Sequence, residues 1–409
     1  MTYKNIKFPK NWNTKKLMKL SIDGINNGVF NDPHKVGKGY KLINVIDLYQ
    51  EPHINIEKLK RLNLTKEEFE KFKVEQGDIF FTRSSLKLKG IAHCNININS
   101  DEELVYDCHL MRVRPNQKEI IPKYLSFYCL LYSVRKYFMA RAKQTTMTTI
   151  SQSDIKDLKV LYPPIPEQQK IVEILSTWDR AIDKMEKLIE AKTQRKKALM
   201  QQLLTGKKRF NEFENEKWRR MKLGELLVYK PRPVDKPKKS YWALGIRSHG
   251  KGTFKKKIEE PEKLMMDTLY EVKKDDLIVN ITFAWEGAIA ITKKEDEGLL
   301  VSHRFPTYVF KQNVAASEYF KQVILTKYVV HKLGIISPGG AGRNRVLSKR
   351  NFLRLQLKIP SIKEQQKIAS VLGAADEEIE LLTKQLDAVK KQKRGLMQKL
   401  LTGKIRVKL

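Results

Sequence analysis

The chain has 409 residues, and its 80 lysines and arginines exceed its 46 aspartates and glutamates by 34 charges. This length is too great for one ordinary core, and a prior of roughly 100–200 residues per domain predicts two to four units. Because the positive excess is spread over the whole chain, it favours a large anionic partner, most often nucleic acid. A merely soluble basic protein and a membrane-surface binder are the competing interpretations.

The chain has three cysteines, and their spacing indicates neither disulfides nor a metal site. Cys94, Cys108 and Cys129 are odd in number and lack a C-x-x-C spacing, which argues against both a disulfide scaffold and a zinc ribbon. The N-terminal residues show no secretory signal, and the longest apolar run, from Tyr124, is far shorter than the ~20 residues that span a bilayer. These features predict a soluble cytoplasmic protein.

The predicted elements follow one plan twice. Strand-like runs rich in β-branched and aromatic residues are YKLINVIDLY, DIFFTRS, DLIVNITFAW and FPTYVF. Helical runs are PKYLSFYCLLYSVRKYFMARA and SEYFKQVILTKYVVHKLG. We therefore predict an α+β fold with two mixed α/β globules, residues 1–162 and 208–359, each followed by one long helical segment, residues 163–207 and 360–409.

The two long helices are copies of each other. A shift of 197 positions aligns Glu167 with Glu364 and Lys207 with Lys404 without a gap, and weaker similarity extends upstream, where GDIFFTRSS resembles DDLIVNITF. This predicts an internal duplication of the chain. Prolines before each helix and a glycine after it are typical start and stop signals. They are Pro163, Pro164, Pro166 and Pro360 at the starts, and Gly206 and Gly403 at the ends.

The apolar positions of both helices alternate steps of four and three residues, which is a coiled-coil pattern. Eight of ten such positions between Ile171 and Leu203 are apolar, and nine of ten between Ile368 and Leu400. A pair of amphipathic helices, each lying on its own domain, is the competing interpretation. The simplest use of two matching seams is to pair them antiparallel, as a rod with a globule at each end. Residues 171–203 would span on the order of 48 Å at ~1.5 Å per residue.

The sequence contains no convincing catalytic or metal-binding motif. There is no P-loop, and YPPIP at Tyr162 lacks the acidic or amide residue of the amino-methyltransferase motif. His93, Cys94, Cys108 and His109 are poor zinc ligands, because adjacent residues on a strand point to opposite faces. Trp285 is either a stacking platform or a core tryptophan. We assign no catalytic and no metal site.

Polar, loop-like stretches suit the reading of DNA, because arginine can bind guanine, asparagine and glutamine can bind adenine, and glycine lets a backbone approach. For each single residue, a solvated charge or a phosphate contact is an equal alternative. In the first globule the candidates are Arg83, Ser84, Ser85, Lys87, Lys89, Arg141, Lys143, Gln144, Thr145 and Thr146. In the second they are Arg247, Ser248, His249, Lys251, Arg304, Arg343, Asn344 and Arg345.

These residues resemble a known family, the specificity subunits of type I restriction-modification systems. The resemblance covers essentially the whole chain. It is strongest in PPIPEQQKI…LMQQLLTGK and IPSIKEQQKI…LMQKLLTGK, and next in ITFAWEGAIAI. It implies two target-recognition domains that read double-stranded DNA and two conserved helical spacers. Ala375 stands where the first copy has Trp178, so the two partner contacts need not be equal.

The resemblance also implies the partners. The helical spacers would bind two copies of a methyltransferase subunit, and restriction subunits would join through them. S-adenosylmethionine, ATP and Mg are expected on those partners and not on this chain. The expected spacer and partner-binding residues are Glu167, Gln168, Gln169, Ile171, Leu175, Trp178, Ile182, Glu364, Gln365, Gln366, Ile368, Leu372, Ile379 and Leu386.

Two copies of one helix would present two nearly equivalent docking surfaces, while two different globules would read two different half-sites. We therefore predict a non-catalytic subunit that recognises a bipartite, asymmetric site. The competing interpretations are a tandem-domain DNA-binding regulator or architectural protein that works alone, and a self-sufficient DNA-modifying enzyme, against which the missing cofactor motifs argue.

Overall fold

The computed structural model describes residues 9–50, 52–100, 102–339 and 345–409. The chain forms two compact units. Unit 1 comprises the residues up to Leu188 together with Thr383–Leu409, and unit 2 comprises Ile189–Leu382. Each unit therefore contains one globule and parts of both long helices.

Unit 1 is a mixed α/β globule. Its strands are β1 (Asn13–Lys16), β2 (Ser21–Asn27), β3 (Val36–Ile43), β4 (Lys60–Leu62), β5 (Ile79–Thr82), β6 (Ser84–Ser85), β7 (Cys94–Ile96), β8 (Leu104–Tyr106), β9 (Leu110–Pro115), β10 (Lys143–Gln144), β11 (Thr148–Thr149) and β12 (Lys159–Tyr162). Its helices are α1 (Lys66–Phe72), α2 (Pro122–Cys129), α3 (Tyr132–Arg141), α4 (Gln152–Lys156) and the first part of α5 (Ile165–Leu203). An antiparallel sheet has the order β2-β9-β5-β7, and a second sheet has the order β4-β3-β8 with β3 parallel to β8.

Unit 2 repeats this plan. Its strands are β13 (Arg219–Lys222), β14 (Leu227–Tyr229), β15 (Pro233–Asp235), β16 (Tyr241–Ile246), β17 (Thr253–Ile258), β18 (Thr268–Glu271), β19 (Leu277–Val279), β20 (Ile289–Ile291), β21 (Leu300–Val301), β22 (Thr307–Phe310) and β23 (Gln356–Ile359). Its helices are α6 (Leu223–Leu226), α7 (Ser317–Val323), α8 (Lys327–Ile335), α9 (Lys349–Arg354) and the first part of α10 (Ile362–Leu400). The sheet β14-β22-β19-β20 is antiparallel, and in β15-β18-β21-β16-β17 strand β16 is parallel to β21.

The two globules share the order of the four-stranded antiparallel sheet, as the duplication predicts, while among the described residues the second sheet has three strands in unit 1 and five in unit 2. In each, the third strand of the antiparallel sheet is the one that the upstream similarity aligns, β5 and β19. In each, an outer pair closes the globule, β1 with β12 and β13 with β23. The mixed α/β fold and the internal repeat predicted from the sequence are therefore confirmed.

Several predicted elements are shorter or divided. The run from Tyr40 to Tyr49 ends its strand at Ile43 and continues as a 3-10 helix, Val45–Tyr49. The run from Asp276 keeps only β19 as a strand and then turns. The two helical runs each split into two helices, α2 with α3 and α7 with α8.

The long helices end where their punctuation predicts. Each stops three residues before a glycine in the left-handed conformation, Gly206 at φ +70° and Gly403 at φ +71°. Glycine adopts this conformation without the Cβ penalty of other residues, so it ends a helix at little cost.

Ion pairs show that α5 and α10 run antiparallel within each unit. In unit 1, Asp179 pairs with Lys393, and Glu186 pairs with Lys390 at 2.6 Å. In unit 2, Lys196 pairs with Asp376 and Lys192 with Glu378, each at 2.5 Å. The residue numbers rise on one helix as they fall on the other, which confirms the predicted antiparallel seam.

Both ends of the seam pack onto globules, because each long helix begins in the core of the globule that precedes it and ends in the core of the other. In unit 1, Ile171 and Leu175 of α5 and Leu400 of α10 join the same core as Tyr124 and Phe138. In unit 2, Leu203 of α5 and Ile368 and Leu372 of α10 join the core of Tyr319 and Phe320. The heptad positions therefore bury the helix ends in the cores of the two units.

Candidate nucleic-acid interface and helix junctions

In unit 1 the two polar stretches predicted to read DNA form one small sheet. Strand β6 pairs with β11, so that Ser85 lies opposite Thr148, and β11 pairs with β10. The backbone N–H of Ile150 also donates to the Arg83 carbonyl at 3.1 Å. Segments that are distant in sequence thus become neighbours on a three-stranded β-ribbon, and its β10–β11 hairpin is a two-stranded ribbon of the kind that the major groove admits.

Most of the predicted residues on this ribbon are exposed. The exposed ones are Arg83, Lys87, Lys89, Arg141, Lys143, Gln144, Thr145 and Thr146. Ser84 is buried, and Ser85 is half-buried, with its hydroxyl donating to the Lys87 carbonyl at 2.9 Å. These two serines shape the turn, while the cations around them face solvent.

Hydrogen bonds from Arg135 and Tyr49 stabilise the turn after β6. The Arg135 guanidinium donates to the carbonyls of Lys89 at 3.0 Å and Ile91 at 2.5 Å, and the Tyr49 hydroxyl donates to the Gly90 carbonyl at 3.0 Å. Burial, together with the nearby charge of Arg135, lowers the pKa of His93 to about 4, so the imidazole is neutral at pH 7. A cleft of about 680 Å³ lies beside this turn.

In unit 2 the candidates gather around the turn that follows β19. The N–H of His249 donates to the Glu286 carbonyl at 2.7 Å, and the Ser248 hydroxyl donates to the Glu286 carboxylate at 2.9 Å. His249 has φ +61°, a conformation that glycine favours, so these contacts hold a strained turn. The Arg304 guanidinium donates to the Thr282 hydroxyl at 3.3 Å.

Trp285 lies in the same turn and is half-buried. Its indole N–H donates to the Thr282 carbonyl at 3.1 Å, and the Arg345 guanidinium lies 5.4 Å from its ring centroid. Trp285 is thus outside the fully buried core, and its use as a stacking platform stays a prediction.

The structure therefore brings together the predicted candidates of unit 2 that it describes. Arg247, His249, Lys251 and Arg304 are exposed, and Ser248 and Arg345 are half-buried. Arg343 and Asn344 lie outside the described residues.

Two of the cysteine and histidine candidates, Cys108 and His109, lie near each other and near an aspartate. Ligand atoms of Asp107, Cys108 and His109 lie within 4.8 Å of one another. The Asp107 carboxylate accepts from the His109 backbone N–H at 2.7 Å and contacts its Nδ1 at 2.8 Å, which closes the turn between β8 and β9. Burial and the Asp107 charge raise the pKa of Cys108, so its thiol is kept in the protonated form, a weak ligand.

The first residue of each Glu-Gln-Gln motif joins an arginine and a tryptophan. Glu364 accepts from Arg209 Nε at 2.9 Å, from Arg209 Nη2 at 2.6 Å and from Trp218 Nε1 at 3.1 Å. Its hydrogen bonds raise the pKa of Arg209. In unit 1, Glu167 accepts from both Arg406 Nε and Nη2, at 2.6 and 2.7 Å, and from Trp12 Nε1 at 3.2 Å.

Sequence reasoning missed these four partners, although a signal exists. The shift of 197 that aligns the helices also aligns Arg209 with Arg406, three residues after each Thr-Gly. Trp12 and Trp218 are each the second residue of two similar segments, NWNTKKLMKL and KWRRMKLGEL, one in each half of the chain. The internal repeat therefore contains, in each copy, an arginine that binds a buried glutamate through two hydrogen bonds.

The second residue of the motif fixes the helix start to the globule. The Gln168 amide oxygen accepts from the Ile121 N–H at 2.8 Å, and its nitrogen donates to the carbonyls of Glu119 and Pro163 at 3.0 and 2.8 Å. Gln365 does the same with Ala316, Val314 and Pro360, at 3.0, 2.9 and 3.1 Å. Each buried amide is thereby satisfied within its own unit.

The expected partner-binding residues thus divide into two groups. Ten are buried and serve the fold of this chain: Glu167, Gln168, Ile171, Leu175, Ile182, Glu364, Gln365, Ile368, Leu372 and Leu386. Gln169 and Gln366 are exposed, and Trp178 and Ile379 are half-buried. Only the second group offers side-chain surface to another molecule without rearrangement.

Comparison with known proteins identifies the family. The family described as "Type I restriction modification DNA specificity domain" matches residues 9–193 and again residues 215–391. The chain belongs to this family. Within the described residues, no helix is both long and apolar enough to cross a membrane.

Individual relatives extend the similarity over the whole chain. A candidate specificity subunit of the type I restriction enzyme MjaX of Methanocaldococcus jannaschii is 27% identical over 98% of this chain and 95% of its own length. The MjaVIII specificity subunit of the same organism is 25% identical over 72% of this chain and 73% of its own. The crystal structure of a type I S subunit from M. genitalium shares the fold, with a TM-score of 0.56, 15% identity and coverage of 97% and 98% of the two chains. A chain from a structural study of type I system assembly has a TM-score of 0.59, 12% identity and coverage of 98% and 100%.

Proposed function

We propose that this chain is the DNA-specificity subunit of a type I restriction-modification complex. It reads a bipartite, asymmetric site, with one half-site for each globule. It docks two methyltransferase subunits and, through them, restriction subunits. It acts in the cytoplasm, where its DNA substrate lies.

One observation carries the proposal. The two globules share the order of their four-stranded antiparallel sheet, and in both the candidate DNA-reading turn directly follows the third strand of that sheet, β5 or β19. The side chains in these turns differ completely: Arg83, Ser84 and Ser85 in one, and Ile281, Thr282 and Phe283 in the other. A common scaffold with unlike reading loops is what two different half-sites require.

Base contacts give specificity, while phosphate contacts give most of the affinity. Exposed Lys87, Lys89 and Lys143 of unit 1 and Lys251 of unit 2 are close to the candidate base-reading residues in sequence. The formal charge of +34 supplies the phosphate contacts.

The long helices supply the docking surfaces. Gln169 and Gln366 are exposed at equivalent positions, one residue after the buried glutamines that fix each helix start. Two copies of one partner can therefore meet nearly equivalent surfaces. The two helices differ at one aligned seam position, where the first has Trp178 and the second has Ala375, so the two copies of the partner need not bind equally.

The chain contributes recognition and no chemistry. S-adenosylmethionine, ATP and Mg belong to the partner subunits in this proposal. The methylating activity would then appear only in the assembled complex.

Domain exchange tests the proposal. Residues 211–358 are replaced by the corresponding segment of a relative with a different specificity, and bound sequences are selected from a random pool with the methyltransferase present. One half of the selected sequence should change and the other should stay. Exchange of residues 1–162 is the matched control and should change the other half. If either exchange alters both halves, the modular proposal fails.

A further inference from the structure

The turn after β6 exposes an apolar side chain in the middle of cations. Leu86 is 85% exposed, and it is followed by Lys87 and, two residues later, by Lys89. An isolated exposed leucine is ordinary on a protein surface. Leu86 is not isolated, because Met147, 40% exposed, lines the same cleft.

The sheet register explains why both line this cleft. Ser85 lies opposite Thr148 on antiparallel strands, and Leu86 directly follows Ser85 while Met147 directly precedes Thr148, so both lie just beyond the end of the paired strands. Side chains at such positions are neighbours across a ribbon. Together they form an apolar tip, defined here as Leu86 and Met147, on a turn whose base is held by Arg135.

The corresponding turn of unit 2 has a similar feature. The upstream similarity aligns Ser85 with Phe283, one position from Leu86, and Phe283 is 36% exposed. Both candidate reading turns thus expose a large apolar residue, although their polar residues differ.

The chemistry of the major groove limits what an apolar tip can recognise. Among the groups there that distinguish the four base pairs, all are hydrogen-bond donors or acceptors except the C5-methyl group of thymine. Leucine and methionine side chains can offer this methyl dispersion and burial, while they offer little to the polar groups.

We propose that Leu86 and Met147 are specificity-determining residues that contact a thymine methyl in the half-site read by unit 1. This inference rests on the proposed function, since it requires the β10-β11-β6 ribbon to enter the major groove. It adds that this half-site contains at least one A·T pair that is read through its methyl group.

The test combines protein and DNA variants. The selected site is prepared with each thymine of the unit 1 half-site replaced in turn by deoxyuridine, which removes only the methyl. The half-site is the one that stays unchanged when residues 211–358 are exchanged. Binding is measured for the full chain in its complex, for Leu86→Ala, for Met147→Ala and for Ile22→Ala. Ile22 is a matched control, because it is 63% exposed on β2 of the same unit.

At one position, deoxyuridine should weaken binding of the unaltered chain by about fourfold, the effect of burying one methylene-sized group. Leu86→Ala should weaken binding to the thymine site by at least as much and should no longer distinguish the two DNAs. Ile22→Ala should behave as the unaltered chain. Because Leu86 is so exposed, its truncation should leave folding intact, and the salt dependence of binding should not change, since no phosphate contact is lost.

Three results would overturn the inference: a unit 1 half-site without an A·T pair, equal binding of thymine and deoxyuridine at every position, or a Leu86→Ala variant that still distinguishes them. A chain that selects no sequence at all would instead refute the proposed function.

Discussion

Replacement of Glu364 by glutamine should destabilise unit 2 far more than an exposed carboxylate replacement would. The Glu364 side chain is 1% exposed, and the Arg209 guanidinium that it binds through two hydrogen bonds is 15% exposed. Glutamine keeps the shape but has one acceptor for three N–H donors, and it leaves the guanidinium without its counter-charge. Breaking one partner of such a buried pair costs about 3–5 kcal/mol.

The equivalent change in unit 1 should cost less. Glu167 is equally buried, but its partner Arg406 is 41% exposed and can return to water when the carboxylate is removed. We expect about 1–3 kcal/mol for Glu167→Gln, the range for a hydrogen bond to a charged group. Glu173→Gln is the control, because Glu173 is exposed and pairs with Lys170 on its own helix, so this change should affect stability far less than Glu167→Gln.

Calorimetry should measure these differences, and peptide-level hydrogen exchange should assign each loss to residues of unit 1 or unit 2. For a unit of this size each kcal/mol corresponds to about 2–4 °C in Tm. Removing both partners, as in Glu364→Leu with Arg209→Leu, should cost less than Glu364→Gln alone, because no uncompensated charge remains. A Glu364→Gln variant that melts like Glu173→Gln would refute the argument that this buried junction fixes the helix to its globule.

Three further outcomes are expected. The logarithm of the DNA-binding constant should fall with the logarithm of salt concentration at a slope near −0.9 per neutralised phosphate, and equal binding at about 50 and 200 mM salt would exclude the electrostatic premise. The isolated chain should not methylate DNA with S-adenosylmethionine, whereas addition of the methyltransferase should give methylation. The mass of that complex should correspond to two methyltransferase subunits per chain, and a saturated one-to-one complex would contradict the proposal of two docking surfaces. Truncation near residue 212 should give a fragment that dimerises and selects a palindromic site, because Lys196 can pair with Asp179 of a second copy as it pairs with Asp376 in the full chain. A fragment that sediments as a monomer would contradict this prediction.

Much of the fold could be predicted from the sequence because its signals are local. Prolines and glycines mark the helix ends, and the step pattern of four and three marks the seam, since both depend on neighbouring residues. The division of α2 from α3 was missed, because an unbroken apolar run does not show where a helix stops. The parallel pairing of β3 with β8 depends on distant segments and has no local signal.

The sequence predicted the candidate DNA-binding segments but not which of them lie next to each other in the fold. The polar stretches at Arg83 and Arg141 were found from composition, but their union in one ribbon is a long-range pairing that composition does not encode. The motif glutamates and first glutamines were expected to bind partners. A repeated motif indicates that both copies have the same role, but it does not show whether that role is to bind a partner or to stabilise the fold. In the structure Glu167 and Gln168 are buried and make their hydrogen bonds within unit 1.

Methylation mapping tests the central claim most directly. DNA is sequenced for modified bases from a host that carries this chain with its methyltransferase, and from the same host without this chain. We predict methylation that depends on the chain and that lies within two different specified sequences separated by a gap of unspecified bases. Methylation that persists without the chain, or that marks one continuous or palindromic sequence, would contradict the account.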